Sequence, residues 1–202
     1  DKYESFEEYE SLAIANVGDW TMVDIDGETT TSYPYSPEYK NKGSKMAFQV
    51  FDAHKVGLSA LEMYNARTGI QSMVSFGVQS RGTNNDWMIS PELPGVAQTI
   101  SFYAKGTTET QVNPERFVVY YSTTDKEIAS FKKLSRGAYE EALSTWKQYS
   151  YNLPEGSKYF AIRCVSRDGF ALLIDDVLFF EAKENLQIVG YDVYRNEVKM
   201  NI

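Results

Sequence analysis

Apolar and polar residues alternate along this chain in short runs, separated by loops carrying glycine, proline and asparagine. A period of two is the signature of β-strands with one buried face. The clearest runs are Gln98 to Ala104 and Arg116 to Ser122. Shorter ones span Trp20 to Asp24, Met46 to Phe51, Ser72 to Val78 and Trp87 to Ser90. Trp146 to Asn152 and Lys158 to Val165 flank a Leu153-Pro154-Glu155-Gly156 turn and read as a strand pair. Phe6-Glu7 opens an alternation that reads as a first strand, and Thr29 to Lys45 is a loop marked by Pro34, Pro37 and Gly43. Helical patterning is scarce. Thr124-Asp125 predicts the cap of a short helix carrying Ile128, Ala129 and Phe131, and Tyr139 to Leu143 fits a second one. Between 52 and 69, Leu58 and Leu61 suit a helical turn that Gly57 and Gly69 confine. About nine or ten strands with so little helix predict an all-β fold, a two-sheet antiparallel β-sandwich.

One run breaks the pattern. Phe170 to Phe180 is apolar except for Asp175-Asp176 near its middle. Alternation along a strand predicts one carboxylate on each face, with at least one partly buried. A buried carboxylate persists when a cation or several hydrogen-bond donors meet it. Two readings follow: a metal site involving Asp175 or Asp176, or structural acids paired with Arg163, Lys158 or backbone N–H groups. A second acidic feature is the turn Asp24-Ile25-Asp26-Gly27. Asp-x-Asp-Gly is also ordinary turn chemistry, in which a short carboxylate accepts from nearby N–H groups. It lacks the glutamate an EF-hand loop needs. Asp86, just before a strand, reads as a turn cap with a metal role as the alternative.

Composition narrows the function. The formal charge is −8 with no basic block, which argues against nucleic acid and anionic membrane as partners and suits cation binding. No apolar run is long enough for a membrane helix. No signal-peptide pattern stands at Asp1-Lys2-Tyr3, and a removed export signal would leave none. With one cysteine, Cys164, and one histidine, His54, the chain offers no intrachain disulfide and little for zinc. No Gly-x-Ser-x-Gly elbow or phosphate-cradling glycine loop occurs, so His54 reads as a surface residue and Cys164 as a small core residue. A glycosidase needs two suitably spaced carboxylates, and nothing marks such a pair. Aromatic residues are the remaining handle. Tyr33, Tyr35 and Tyr39 in the Pro-bearing loop, with Tyr64, form a candidate ligand platform against the alternative that they cover the sandwich edge. Trp20, Trp87 and Trp146 each start a strand and read as core.

Seven segments, in order over residues 4 to 181, resemble the cleaved adhesin domain, the jelly-roll module of gingipain- and haemagglutinin-type bacterial surface proteins. They are Glu4-Ser5-Phe6-Glu7, Trp20 leading into Asp24-Ile25-Asp26-Gly27, Asn84 to Leu93, Ile100 to Tyr103, Tyr120 to Thr124, Leu153 to Arg163 and Leu173 to Val177. The resemblance implies a jelly roll over 1–183, structural calcium, surface exposure and no catalysis. It also implies that Glu7 shares one calcium with Asp175 and Asp176, and that the turn supplies Asp24 or Asp26. That turn lacks the longer run of alternating aspartates many members carry, and the stretch from His54 to Gln71 differs from the family. Residues 184–202 read as a linker, Lys183-Glu184-Asn185, then an extra strand or the truncated start of a domain similar to fibronectin type III. The expected function is a secreted or cell-surface adhesin-like module of a larger protein, binding a glycan or a host or matrix protein through its loops. A structural spacer and, more remotely, a carbohydrate-active enzyme are the alternatives.

Overall fold

Two antiparallel sheets take up the alternating runs. A computed structural model describes residues 1–107, 113–182, 193–195 and 198–200. In chain order the strands are β1 (Lys2–Glu4), β2 (Thr21–Asp24), β3 (Gln49–Asp52), β4 (Gln71–Phe76), β5 (Asp86–Ile89), β6 (Gln98–Gly106) and β7 (Glu115–Ser122). They continue with β8 (Lys132–Lys133), β9 (Glu140–Ala142), β10 (Lys147–Leu153), β11 (Tyr159–Cys164) and β12 (Ala171–Phe179). Beyond them, β13 (Val193–Arg195) and β14 (Val198–Met200) pair with each other. The first sheet runs β10-β6-β12-β4-β3, with β1 also on β12. The second runs β2-β5-β11-β7-β8, with β9 also on β7. The expected linker at Lys183-Glu184-Asn185 lies outside the described residues.

The main core lies between the sheets. Phe102, Ile174, Val177 and Phe179 of the first sheet meet Met88, Phe117, Phe160 and Ile162 of the second. Phe6, Trp20, Phe160 and Phe179 interlock edge-on or tilted, with ring centroids 5.5 to 5.9 Å apart, in the range where aromatic pairs attract. A second apolar layer explains why β12 is greasy on both faces. Its outward residues Ala171 and Leu173, with Val74, Phe76 and Phe51, are covered by Val56, Leu58 and Tyr64. The stretch between β3 and β4 is therefore a cover over the outer face of the first sheet, not a helix. Among the described residues its helical content is one 3₁₀ turn, Glu62–Tyr64.

Three expected elements differ. The helix after Thr124-Asp125 is a single 3₁₀ turn, Ile128–Ser130. Tyr139 to Leu143 holds strand β9, because pairing with β7 satisfies its backbone; so short a segment does not reveal its period. The first strand ends at Glu4, before Phe6-Glu7. Phe6 has φ +62° and lies wholly buried, so the chain turns there instead of running on.

Candidate functional site

Strand β12 carries the acidic pair at a break in its pairing. Along one edge, β4 pairs with Ala171 to Ile174 and β1 with Val177 to Phe179. Between these two stretches the register against β6 shifts, after Asp175↔Tyr103 and before Leu178↔Ser101. Asp176 has φ +51°, a left-handed conformation that aspartate tolerates better than most residues. This bulge inserts one residue into the alternation. Leu172 and Ile174 face the main core before it, and Val177 and Phe179 after it. The expected division of the two carboxylates between opposite faces does not occur. Both meet the same dipeptide. Asp175 Oδ2 accepts from the backbone N–H groups of Arg67 at 2.8 Å and Thr68 at 3.3 Å. Asp176 accepts from Arg67 Nη1 and from Thr68 Oγ1, each at 2.5 Å, and from the Tyr3 hydroxyl. The Arg67 guanidinium also lies over the Tyr103 ring, 3.5 Å from its centroid.

Glu7 accepts from the N–H groups of Ile70 and Gln71 at 2.9 and 2.7 Å. Glu7, Asp175 and Asp176 thus grip one segment, 67–71, through N–H and O–H donors and a guanidinium, with both Glu7 bonds on Oε1. Donors that meet Asp175 and Asp176 in this way are those of structural acids, the second of the two readings the sequence leaves open for this pair. Of the alternatives, backbone N–H groups hold Asp175, while Arg163 bonds Asn85 and Tyr120. Glu4, which the sequence did not single out, is the buried acid near the start. It accepts from the Phe6 N–H, the Tyr9 hydroxyl and Trp20 Nε1.

The metal-like arrangement lies on the other sheet. Asp24, Asp26 and Asp86 bring ligand atoms within 4.8 Å of one another, the one such group among the described residues. Strand pairing builds it. Asp24 ends β2 opposite Asp86, which starts β5, and the turn after β2 folds Asp26 back to accept from the Asn85 N–H at 2.6 Å. The turn chemistry is also present: Asp24 accepts from the Gly27 N–H and Asp26 from the Glu28 N–H. Asp86 is 1% exposed. One of its oxygens accepts from Asn84 Nδ2 at 2.7 Å and Ser75 Oγ at 3.2 Å. Among the described residues the other, Oδ1, has no partner, and neither does the buried Oδ1 of Asn84, two positions earlier. Burial first, then the neighbouring Asp26 and Asp24 charges, push the Asp86 carboxyl up to about 8. Unfilled buried oxygens beside two more carboxylates fit a hard, oxygen-seeking cation.

The tyrosine platform is mostly filled space. Tyr64 is 1% exposed and packs on Phe51 and Phe170. Tyr33 and Tyr39 are half-buried against the outer layer. Tyr35, 86% exposed, alone offers an open ring, packed edge-on against Tyr33. Trp20 and Trp87 are buried as expected, but Trp146 is only half-buried and lines a cleft of about 720 Å³ with Leu61, Met63, Lys105, Thr107 and Thr145. Two features hid this cleft in the sequence: Lys105 lies near the end of an otherwise ordinary strand, and the 3₁₀ turn comes from a stretch with no clear period.

His54 is exposed. Cys164 is wholly enclosed and its thiol is pushed up to about 12 by burial. Glu115 and Asp175 are fully buried and meet backbone donors, not an open substrate cleft.

A family profile described as Cleaved Adhesin Domain matches residues 2–179. The chain belongs to the cleaved adhesin domain family. This cleaved adhesin domain is a non-catalytic adhesion module. Lys-gingipain W83 of Porphyromonas gingivalis is 24% identical over 186 residues, covering 90% of this chain and 10% of that protein; the chain spans about a tenth of the length of the curated relative it matches. Among solved structures, the K2 cleaved adhesin domain of Lys-gingipain superposes with a TM-score of 0.63 at 19% identity, covering 87% of this chain and 96% of that one. The K3 domain from Porphyromonas gingivalis W83 gives 0.57 at 24% identity over 87% and 94%. These likenesses show that the jelly-roll fold is shared.

Proposed function

We propose that this cleaved adhesin domain is an extracellular module of a larger surface protein, braced by one calcium ion and binding a glycan at its surface. The observation that carries the calcium is Asp86 Oδ1, buried and unpartnered beside Asp24 and Asp26. These three carboxylates would hold the ion, with Asn84 contributing its free amide oxygen. Calcium would supply charge neutralisation there. It would thereby fasten the turn after β2 to the start of β5, and bias the domain toward its folded form by mass action.

The glycan half of the reading is supported by the Trp146 cleft, where an aromatic face, hydroxyls and a cation share one hollow. Two measurements test the proposal separately. Thermal unfolding with calcium and with chelator reads the ion, and identical curves would remove it. A glycan array reads the ligand; a blank array would leave a calcium-braced spacer.

A further inference from the structure

Lys105 is an unusual lysine. It lies on the outward face of β6 and is only 4% exposed, whereas lysine is almost never buried without a partner. Its ammonium has three donors. One goes to the Glu62 carbonyl at 2.9 Å. Among the described residues no carboxylate lies within 4.0 Å of it. Its Nζ sits 5.0 Å from the centroid of the Trp146 ring, close enough for cation–π attraction. That contact and one carbonyl do not replace the water an ammonium gives up on burial. Thr107, two residues along, is 8% exposed, and among the described residues its Oγ1 has no hydrogen-bond partner. Both residues line the Trp146 cleft. Among the described residues, a cation with no carboxylate in contact and a hydroxyl with no hydrogen-bond partner thus share one cavity beside a half-open indole, with Glu62 at its rim.

We propose that this cleft is a subsite for a carboxylate-bearing sugar, a hexuronic acid residue within a glycan. This inference rests on the glycan reading above. The C–H face of the pyranose lies on Trp146, flanked by Leu61 and Met63. The sugar carboxylate accepts from Lys105, and a ring hydroxyl meets Thr107 Oγ1. A neutral sugar keeps the indole and the hydroxyl but leaves the ammonium unmatched, so it binds less well. The Glu62 side chain at the rim is exposed; water and salt screen its charge, while Lys105 acts from inside, where charge interactions are stronger. An acidic peptide would satisfy Lys105 but would not present the flat C–H face that suits an isolated indole.

Intrinsic fluorescence tests this in the intact domain, because Trp20 and Trp87 are buried and Trp146 is the indole open to a ligand. Titration with tetragalacturonate should give a saturable change, and the neutral galactotetraose a weaker one. Lys105→Met should weaken the acidic oligosaccharide roughly tenfold, the scale of one charge-assisted contact, and the neutral one by clearly less, so that the ratio between the two falls. Trp146→Ala, followed by calorimetry, should abolish both. If Lys105→Met does not fold, wild-type protein still decides the matter: raising salt from about 0.05 to about 0.5 M should weaken tetragalacturonate and spare the neutral sugar. Equal binding of the two sugars, insensitive to salt, overturns the acidic preference while leaving glycan binding intact. A glutamate-rich peptide binding more tightly than either sugar overturns the sugar assignment. Glycans that bind equally well after Trp146→Ala overturn the site. Failure of every oligosaccharide, on the array as well as in titration, overturns the glycan reading itself.

Discussion

Asp24 and Asp86 stand directly opposite each other across β2 and β5, two carboxylates in register where the preceding pairs are Val23 with Trp87 and Met22 with Met88. Like charges in that position repel, and together with burial this favours a proton on Asp86 in the unbound protein. Removing one should therefore relieve the unbound protein and disable the bound one. Asp86→Asn is expected to melt at or above wild type in chelator. It should lose the gain expected of wild type in calcium, roughly 5–10 °C at a hundredfold excess over Kd for a domain of this size. Calorimetric unfolding with and without calcium checks this. A variant that responds to calcium as wild type does would remove Asp86 from the ligands.

The same carboxyl makes stability depend on pH. Burial raises Asp86 to about 8 and Asp175 to about 7, both well above an unfolded aspartate. The folded form then holds its protons more tightly than the unfolded form. That contribution is fully present below about pH 4 and is lost as pH rises toward 8. In chelator, denaturant midpoints should fall between pH 5 and pH 8, by the equivalent of about 2–4 kcal/mol. Calcium should reduce the fall, because a bound cation replaces the proton on Asp86. A midpoint that climbs across this window in chelator would contradict the assignment.

The acids of β12 should behave differently. Arg67→Ala strips the guanidinium from Asp176, which is nearly inaccessible, and from the Tyr103 ring. Breaking a buried ion pair costs about 3–5 kcal/mol; a third of the Arg67 side chain is exposed, so about 2 kcal/mol is expected here. The calcium response should survive, as it should in Asp175→Asn. Loss of that response in either variant would return the ion to β12.

Gly69 has φ +63°, and a methyl group there would collide with the Glu7 carboxylate. Gly69→Ala should cost about 1–3 kcal/mol. The penalty should shrink in a Glu7→Ala background, because part of it is the collision. Urea unfolding of the two single variants and the double variant measures the coupling. Strict additivity would mean that Glu7 does not hold this segment.

The strands were legible because their chemistry is local. Gln98 to Ala104 and Arg116 to Ser122 declare a period of two in their own side chains, and the sandwich follows from enough such runs. The acidic pair was legible as a buried anomaly, but its geometry was not. Whether Asp176 continues the strand or bulges depends on β4 ending and β1 starting along one edge of β12, which no local pattern encodes. Glu7 and Asp175, from opposite ends of the chain, both hold residues 67–71, but through N–H groups contributed by a segment with no readable period. Asp24, Asp26 and Asp86 were each visible as turn residues; their convergence needed the β2–β5 register. Trp146 sat at a strand start like Trp20 and Trp87, and only the third dimension separates an indole in the core from one beside Lys105.

Lys2 pairs with Phe179 as the outermost rung between β1 and β12. Residues 2 and 179 therefore lie side by side, and tension drawn between them would reach the three rungs one after another instead of all together. Peeling would run inward as far as Glu4, which is fastened to Phe6, Tyr9 and Trp20. A domain pulled in this way yields at its margin under light load while its two sheets stay closed.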